Sequence, residues 1–288
     1  MSEVRKGNKR EKIGLVLGGG GARGLAHIGV LRVLEREAIP IDLIAGTSMG
    51  GLVGALYSAG IPIDDLDHEV NKLSSLTEQL RLLDVSVSAA GLSVRGRRIY
   101  NYMADLLGEE LTFSDLRIPL AMVAVDLNSG RDIVLQGGLV IDAVRASISI
   151  PGIFMPMELA EYRLVDGGVL DNVPVDVAVA MGATKTIAID VLPSFSRDNQ
   201  FNQVIEPPAQ IPFAPQYLNE TYHVLMIMIA ALTESRLRQN PPDLLIRPEL
   251  PANVTLLIGF HQSAKIIEAG EAAAEVALPA IKELLNRS

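Results

Sequence analysis

The chain has no cysteine and no tryptophan, and only four histidines, His27, His68, His223 and His261, among 288 residues. Without cysteine there is no disulfide scaffold, no thiolate zinc site and no cysteine nucleophile. Four dispersed histidines also argue against a histidine-rich metal centre. Base is not in excess: 25 Lys and Arg face 34 Asp and Glu, a formal charge of −9. That balance speaks against a nucleic-acid partner, whose electrostatic footprint is basic. Long apolar runs are missing too. The longest, Val224 to Leu232, falls far short of the ~20 residues that cross a bilayer. The basic lead of Arg5, Lys6, Lys9, Arg10 and Lys12 reads as a frayed terminus rather than a signal peptide. The apolar segment after it is broken by Gly18 to Gly21 and Arg23. What is present is an apolar fraction of 49% at ordinary charge density, which excludes disorder. The expectation is a soluble cytoplasmic protein with a sizeable core.

Periodicity orders the first third of the chain. Ile13 to Leu17 is a buried strand entering a glycine turn, and from Ala22 the residues Leu25, Ile28, Leu31 and Leu34 trace a helix that stops before Pro40. Ile41 to Ala45 reads as a second strand turned by Gly46, and a second helix through Leu52 to Leu56 ends at Gly60. This is a parallel βαβ unit with short connections. Leu120 to Asp126 and Asp132 to Leu135 flank Asn128-Ser129-Gly130, a hairpin signal. Further on, the pattern predicts a helix over Leu139 to Ser147, strands at Tyr162 to Val165 and Thr186 to Val191, and a helix starting near Asn172 and Pro174. A helix over Tyr217 to Arg238, a strand near Leu244 to Arg247 and a helical C-terminus complete the reading. Residues 192–215 hold five prolines and little periodicity, the mark of a long loop. One α/β domain accounts for all of this.

Gly46-Thr47-Ser48-Met49-Gly50 matches G-x-S-x-G between a predicted strand and a predicted helix, the context in which that motif presents a nucleophilic serine. A sharp turn lifts Ser48 clear of the backbone, and a helix N-terminus favours negative charge beside it. The glycine run Gly18 to Gly21 admits two functional readings. Gly19, Gly21 and Gly24 fit a dinucleotide fingerprint, but the second strand ends Ile44-Ala45-Gly46 with no acid for a ribose, Asp42 lying at its start. The other reading is an oxyanion hole of successive amides at a helix start. Serine also needs a base. His27 reads as a packed helix residue, His68 stands on an acidic solvated face, and His223 opens an apolar helix. His261 would complete the chain order Ser48, Asp166, His261 of an α/β-hydrolase triad, although its surroundings read as an ordinary helix start. Asp166-Gly167-Gly168 closes a short strand, either as a turn former or as an acid beside a partner.

In this order, Gly19-Gly20-Gly21-Ala22-Arg23-Gly24, Gly46-Thr47-Ser48-Met49-Gly50 and Asp166-Gly167-Gly168 resemble the motifs of the patatin-like phospholipases. Residues Ala146 to Pro156 resemble that family's intermediate block, and Asn172-Val173-Pro174 its continuation. The likeness spans about residues 12–191 and is weak over 192–288. It implies a three-layer α/β/α fold with a mostly parallel central sheet. Residues 1–11 would form a flexible N-terminus, 12–191 the catalytic core, and 192–288 the C-terminal part of the same domain. It also implies a Ser–Asp dyad, with Ser48 as nucleophile, Asp166 as proton acceptor, and the amides of Gly19, Gly20 and Gly21 as oxyanion donors. Arg23, Gly24, Gly46, Gly50, Gly167 and Gly168 would support these motifs, Arg23 by holding the loop. The implied substrates are acyl esters of phospholipids, lysophospholipids or glycerides, cleaved through an acyl-enzyme with no metal or cofactor. Peripheral contact at the inner face of the membrane and a homo-oligomer are both compatible with the sequence. Val224 to Ile229 fit a membrane contact, an acyl tunnel, or core or dimer packing. Residues 192–215 fit a lid or a plain connection. Arg95, Arg97 and Arg98 fit a lipid phosphate or a solvated basic turn.

Overall fold

The structure, a computed structural model, describes residues 11–72, 75, 81–82, 84–88, 91–193, 216–251, 254 and 259–286. The basic lead up to Arg10 and most of the 192–215 connection lie outside the described residues. The strands are β1 (Ile13–Leu17), β2 (Leu43–Thr47), β3 (Val85–Ser88), β4 (Gly91–Val94), β5 (Leu120–Asp126), β6 (Arg131–Leu135), β7 (Met157–Leu159), β8 (Tyr162–Asp166), β9 (Lys185–Ile189) and β10 (Leu244–Ile246). The helices are α1 (Ala26–Arg36), α2 (Met49–Ala59), α3 (Ile63–Lys72), α4 (Arg97–Leu107), α5 (Val140–Ser147), α6 (Val175–Ala180), α7 (Gln216–Gln239) and α8 (Ser263–Asn286).

The main sheet runs β10-β9-β1-β2-β5-β8-β7, with β6 also paired to β5. The five strands from β10 to β5 are mutually parallel, whereas β6 and β8 run antiparallel to β5. Period-two alternation along the parallel strands separates two layers of core. Leu15, Leu17, Ile44, Ile187 and Ile189 face α1, α2, α5 and α8. Val16, Leu43, Ala45 and Ala188 face Val175, Val177 and Ala178 of α6 and Leu237 of α7. The result is a three-layer α/β/α arrangement. Strand β10 extends the same sheet, and α8 packs on α1.

Two boundaries differ from the sequence reading. The second strand starts later and runs on to Thr47, because the ladder continues through Leu17↔Gly46 and Thr47↔Val123. Asp42 is drawn out of the strand, its carboxylate accepting from the Ile13 amide at 2.8 Å. The first helix likewise begins at Ala26, after a tight 3₁₀ turn over Gly21–Leu25. The sequence reading does not anticipate α3, α4, β7 and the β3–β4 hairpin.

Helices α1 and α8 touch through glycine. A β-carbon on Gly29 would collide with the Ile267 carbonyl, and one on Gly270 with the Ala26 carbonyl. Backbone meets backbone there with no side chain able to yield. We expect Gly29→Ala or Gly270→Ala to destabilise the fold by about 1–3 kcal/mol through overpacking, measured by thermal or urea unfolding. Val276→Ala, at a side chain 84% exposed on α8, serves as the comparison. Equal stability of all three variants would contradict this packing.

Candidate active site

Strand β2 ends in a turn that strains its last residue. Ser48 has φ 52° and ψ −123°, a region that costs L-residues energy and that functional turns retain. Helix α2 begins at the next residue, and Leu52 donates back to the Ser48 carbonyl at 2.9 Å. The turn closes because its neighbours are small. A side chain on Gly50 would strike the Leu17 carbonyl, one on Gly46 would strike Gly51, and one on Gly24 would strike Met49. Ser48 is buried but for 6% of its surface.

Asp166 ends β8, and the sheet itself brings it to Ser48. Strand β6 covers one edge of β5 from Met122 to Asp126. The other edge is therefore shared: β2 pairs along it up to Thr47↔Val123, and β8 takes over at Asp166↔Ala124. The parallel and the antiparallel strand meet end to end. Ser48 Oγ donates to Asp166 Oδ2 at 2.5 Å, and the Gly168 amide donates to Asp166 Oδ1 at 2.8 Å. Gly167 passes directly over the Val123 carbonyl, where no β-carbon fits. Burial pushes the Asp166 carboxyl up to about 6, against the opposing pull of the hydrogen bonds from Ser48 and Gly168.

The glycine loop after β1 runs alongside. Gly18 N–H donates to the Ile189 carbonyl (3.0 Å) and Gly19 N–H to the Asn172 carbonyl (3.1 Å). The Asn172 side chain returns a bond to the Gly19 carbonyl at 3.1 Å, so the loop is gripped from both sides. Of the three expected oxyanion donors, Gly19 thus has its amide engaged, Gly20 lines the cavity over Ser48, and Gly21 opens the 3₁₀ turn with φ 53°. Arg23 is buried and donates to the carbonyls of Val191 (2.6 Å) and Val254 (2.9 Å). Asp42, the one acid near the glycine fingerprint, sits at the start of β2, away from this loop. Among the described residues, β2 ends in Gly46 and Thr47, with no acid where a dinucleotide ribose would need one.

A cavity of about 30 Å³ lies over the pair. Besides Ser48, Asp166 and Gly20 its wall includes Ile150, Pro151, Val169 and Leu192, with Leu225, Met226 and Ile229 of α7. By the measure that ~10–15 Å³ holds one water, it takes about two waters and no acyl chain. Helix α7 carries no Asp, Glu, Lys or Arg from Thr221 to Thr233. Its outer side leaves Val224, Ile227, Met228 and Leu232 exposed. No described helix is long and apolar enough to cross a membrane.

The histidines lie elsewhere. His27 is fully buried, its Nε2 within 2.7 Å of the Gly18 carbonyl, and burial lowers it to about 4, so the ring is neutral and Nε2 carries the donated proton. His68 and His261 are exposed and His223 is half-buried; none of the four lines the cavity. Arg95, Arg97 and Arg98 are exposed around the start of α4. Sequence reasoning gave no role to the side chains of Ser147 or Asn172, because each acts on a backbone group more than 90 residues away.

A family model described as Patatin-like phospholipase matches residues 15–179. The chain belongs to the patatin-like phospholipase family. An uncharacterized NTE family protein of Mycobacterium tuberculosis is 40% identical over 186 residues, covering 65% of this chain and 51% of that protein. A second NTE family protein of the same organism is 31% identical over 285 residues, covering 95% and 48%. Lysophospholipase NTE1 of Mycosarcoma maydis is 35% identical over 179 residues, 62% of this chain and 10% of that protein. The chain thus spans about half the length of the mycobacterial relatives. Among solved structures, VipD from Legionella pneumophila superposes with a TM-score of 0.53 at 14% identity, covering 94% of this chain and 67% of that one, and so shares the fold.

The raised Asp166 pKa has a signed consequence for stability. An acid whose folded value (about 6) exceeds its unfolded value (~3.9) contributes stability below the unfolded value and loses it as pH rises through the folded one. We expect Asp166→Asn, which cannot ionise, to gain on the order of 1–3 kcal/mol over the native chain between pH 4 and pH 8. Urea unfolding of both proteins at the two pH values measures it. A difference independent of pH would mean that Asp166 titrates like an exposed acid.

Proposed function

We propose that this patatin-like protein is a serine acyl hydrolase that cleaves lipid acyl esters through a Ser48–Asp166 dyad. The observation that carries the reading is the 2.5 Å hydrogen bond from a strained elbow serine to a buried carboxylate, set inside the family's own motifs. An unperturbed aspartate is a feeble base toward a hydroxyl, and burial at the end of β8 strengthens this one. Asp166 Oδ2 takes the proton as Ser48 Oγ attacks the ester carbonyl. The resulting alkoxide faces Gly20 and Gly21, whose amides are the proposed oxyanion donors; such a donor contributes roughly 3–4 kcal/mol at the transition state. Asp166 then protonates the leaving alcohol, and water attacks the acyl-enzyme with Asp166 again as base. These groups supply every proton transfer, so the reading needs neither metal nor cofactor.

The apolar wall of Ile150, Val169, Leu225, Met226 and Ile229 supports an acyl chain as the group bound next to the serine. The name of the fungal relative supports lysophospholipid among the substrates. Because the cavity is smaller than an acyl chain, the α7 side chains must shift to admit one. The outer apolar stripe of α7 supports peripheral contact with the lipid surface that supplies the substrate.

A fluorophosphonate probe should modify Ser48 and leave Ser48→Ala unlabelled. On one chromogenic ester, Asp166→Asn should lose turnover by roughly 10²–10⁴-fold, whereas His261→Ala should stay within about tenfold of the native enzyme. Activity should fall on the acid side with a midpoint near pH 6, where Asp166 gains its proton, and it should survive a chelator. An inactive His261→Ala beside a merely slowed Asp166→Asn would replace the dyad with a triad. Undiminished labelling of Ser48→Ala would remove the nucleophile.

A further inference from the structure

The seam at which β2 and β8 meet on β5 interrupts the sheet's hydrogen-bond ladder, and a side chain from outside the sheet repairs it. Ser147, the last residue of α5, is fully buried. Its hydroxyl donates to the Val123 carbonyl at 2.7 Å and accepts from the Ser48 amide at 2.8 Å. Val123 is the β5 residue at which β2 stops. Two residues on, the Ser149 carbonyl accepts from the Asp166 amide at 2.9 Å. The Ser149 backbone is in turn tied to α5, since the Ser149 hydroxyl donates to the Arg145 carbonyl (2.8 Å) and accepts from the Arg145 guanidinium (2.5 Å). One short stretch at the end of α5 therefore holds the backbone of the elbow serine and the backbone of the aspartate together.

We propose that Ser147 is a positioning residue for this reaction: its hydroxyl fixes the strained Ser48 elbow in register with Asp166. The proposal rests on the Ser48–Asp166 reading above. A positive-φ serine has a more comfortable conformation to relax into, and relaxation would carry Oγ away from the carboxylate. The hydrogen bond that the Ser48 amide donates to Ser147 Oγ is a direct restraint on that rotation. The restraint acts before substrate arrives, so its loss belongs in the chemical step rather than in binding.

The test compares two buried hydroxyl deletions of matched kind. Thr186, near the start of β9 at the other end of the sheet, is also buried, and its hydroxyl donates to Asp243 and accepts from the Asp243 amide, both at 3.1 Å. Ser147→Ala and Thr186→Val each delete one hydroxyl with two partners, so a purely structural role predicts similar losses of stability and similar activity. We expect Ser147→Ala alone to lose kcat by about 10–100-fold, the scale on which a misplaced reacting group loses rate. KM should stay within about threefold, and fluorophosphonate capture should slow in proportion to kcat. Equal kcat in the two variants, or a loss confined to KM, overturns the proposal. Should Ser147→Ala fail to fold, Ser147→Cys carries the test: a thiol accepts weakly from the Ser48 amide and should leave an intermediate kcat loss, and full activity refutes the restraint. A native protein inert to both ester and probe would sink the hydrolase reading and this one with it; an active native protein with an equally active Ser147→Ala sinks only the second.

Discussion

A strand has two edges, and β5 spends one of them on two partners of opposite direction. Everything at the site follows from that division. A parallel strand arrives with its carboxyl end pointing along β5, and an antiparallel strand arrives with its carboxyl end pointing back. Where they stop, at Thr47↔Val123 and Asp166↔Ala124, the two chain ends face each other across a single residue step. The next side chain on one side is Ser48 and the last on the other is Asp166. Backbone pairing thus brings the two within reach of each other without any long side chain. The seam leaves backbone groups without ladder partners. Ser147 of α5 and Ser149 just beyond it meet those groups, just as Asn172 meets those of the glycine loop.

The same strand ends concentrate buried acid. Asp166, Asp171 and Asp190 are each at most 7% exposed, and burial raises the pKa of all three. They differ in what compensates. Asp171 meets Arg236 of α7 at 3.1 Å, and Asp190 meets Arg247 at 3.1 Å, which also pairs with Glu234 of α7. Asp171 still rises to about 7, because Asp176 shares its arginine and adds like charge to the cost of burial. Asp166 has hydroxyl and amide donors instead of an arginine. A guanidinium there would hold the carboxylate too weakly basic to take a serine proton. The two arginine pairs do structural work of another kind: they fasten the C-terminal half of α7 to the sheet, leaving its uncharged half over the cavity.

Much of the central frame was legible from periodicity. Ile13 to Leu17, the β5–β6 hairpin around Asn128-Ser129-Gly130, and α7 appear within a residue or two of where apolar spacing and turn residues predict them. Those signals are local, since a strand or helix buries the face that its own period dictates. Helices α3 and α4 carry the same kind of stripe, Ile63, Leu66 and Val70 in one and Ile99, Met103 and Leu107 in the other, which the sequence reading does not use. The strand boundary at Thr47 was missed for a different reason. Gly46 and Thr47 read as turn residues alone, and only parallel pairing to β1 and β5 on either side keeps them extended.

At the site the division is equally physical. G-x-S-x-G and Asp-Gly-Gly are local because tight turns demand particular small residues next to the polar one, so the sequence by itself singled out Ser48, Asp166 and the glycines around them as candidates. It also determined that the turns lie at strand ends, since the flanking runs are too apolar to be anything but core. It could not determine that Ser48 and Asp166, 118 residues apart, touch. Nor could it place the Gly19 amide against the Asn172 carbonyl, or His261 away from the cavity over Ser48. Those outcomes depend on which strand shares an edge with which, on an Asn172 side chain reaching across the fold, and on burial that no local composition encodes. Tertiary structure decided them because hydrogen bonds and dielectric environment are set by neighbours in space, and here those neighbours come from distant parts of the chain.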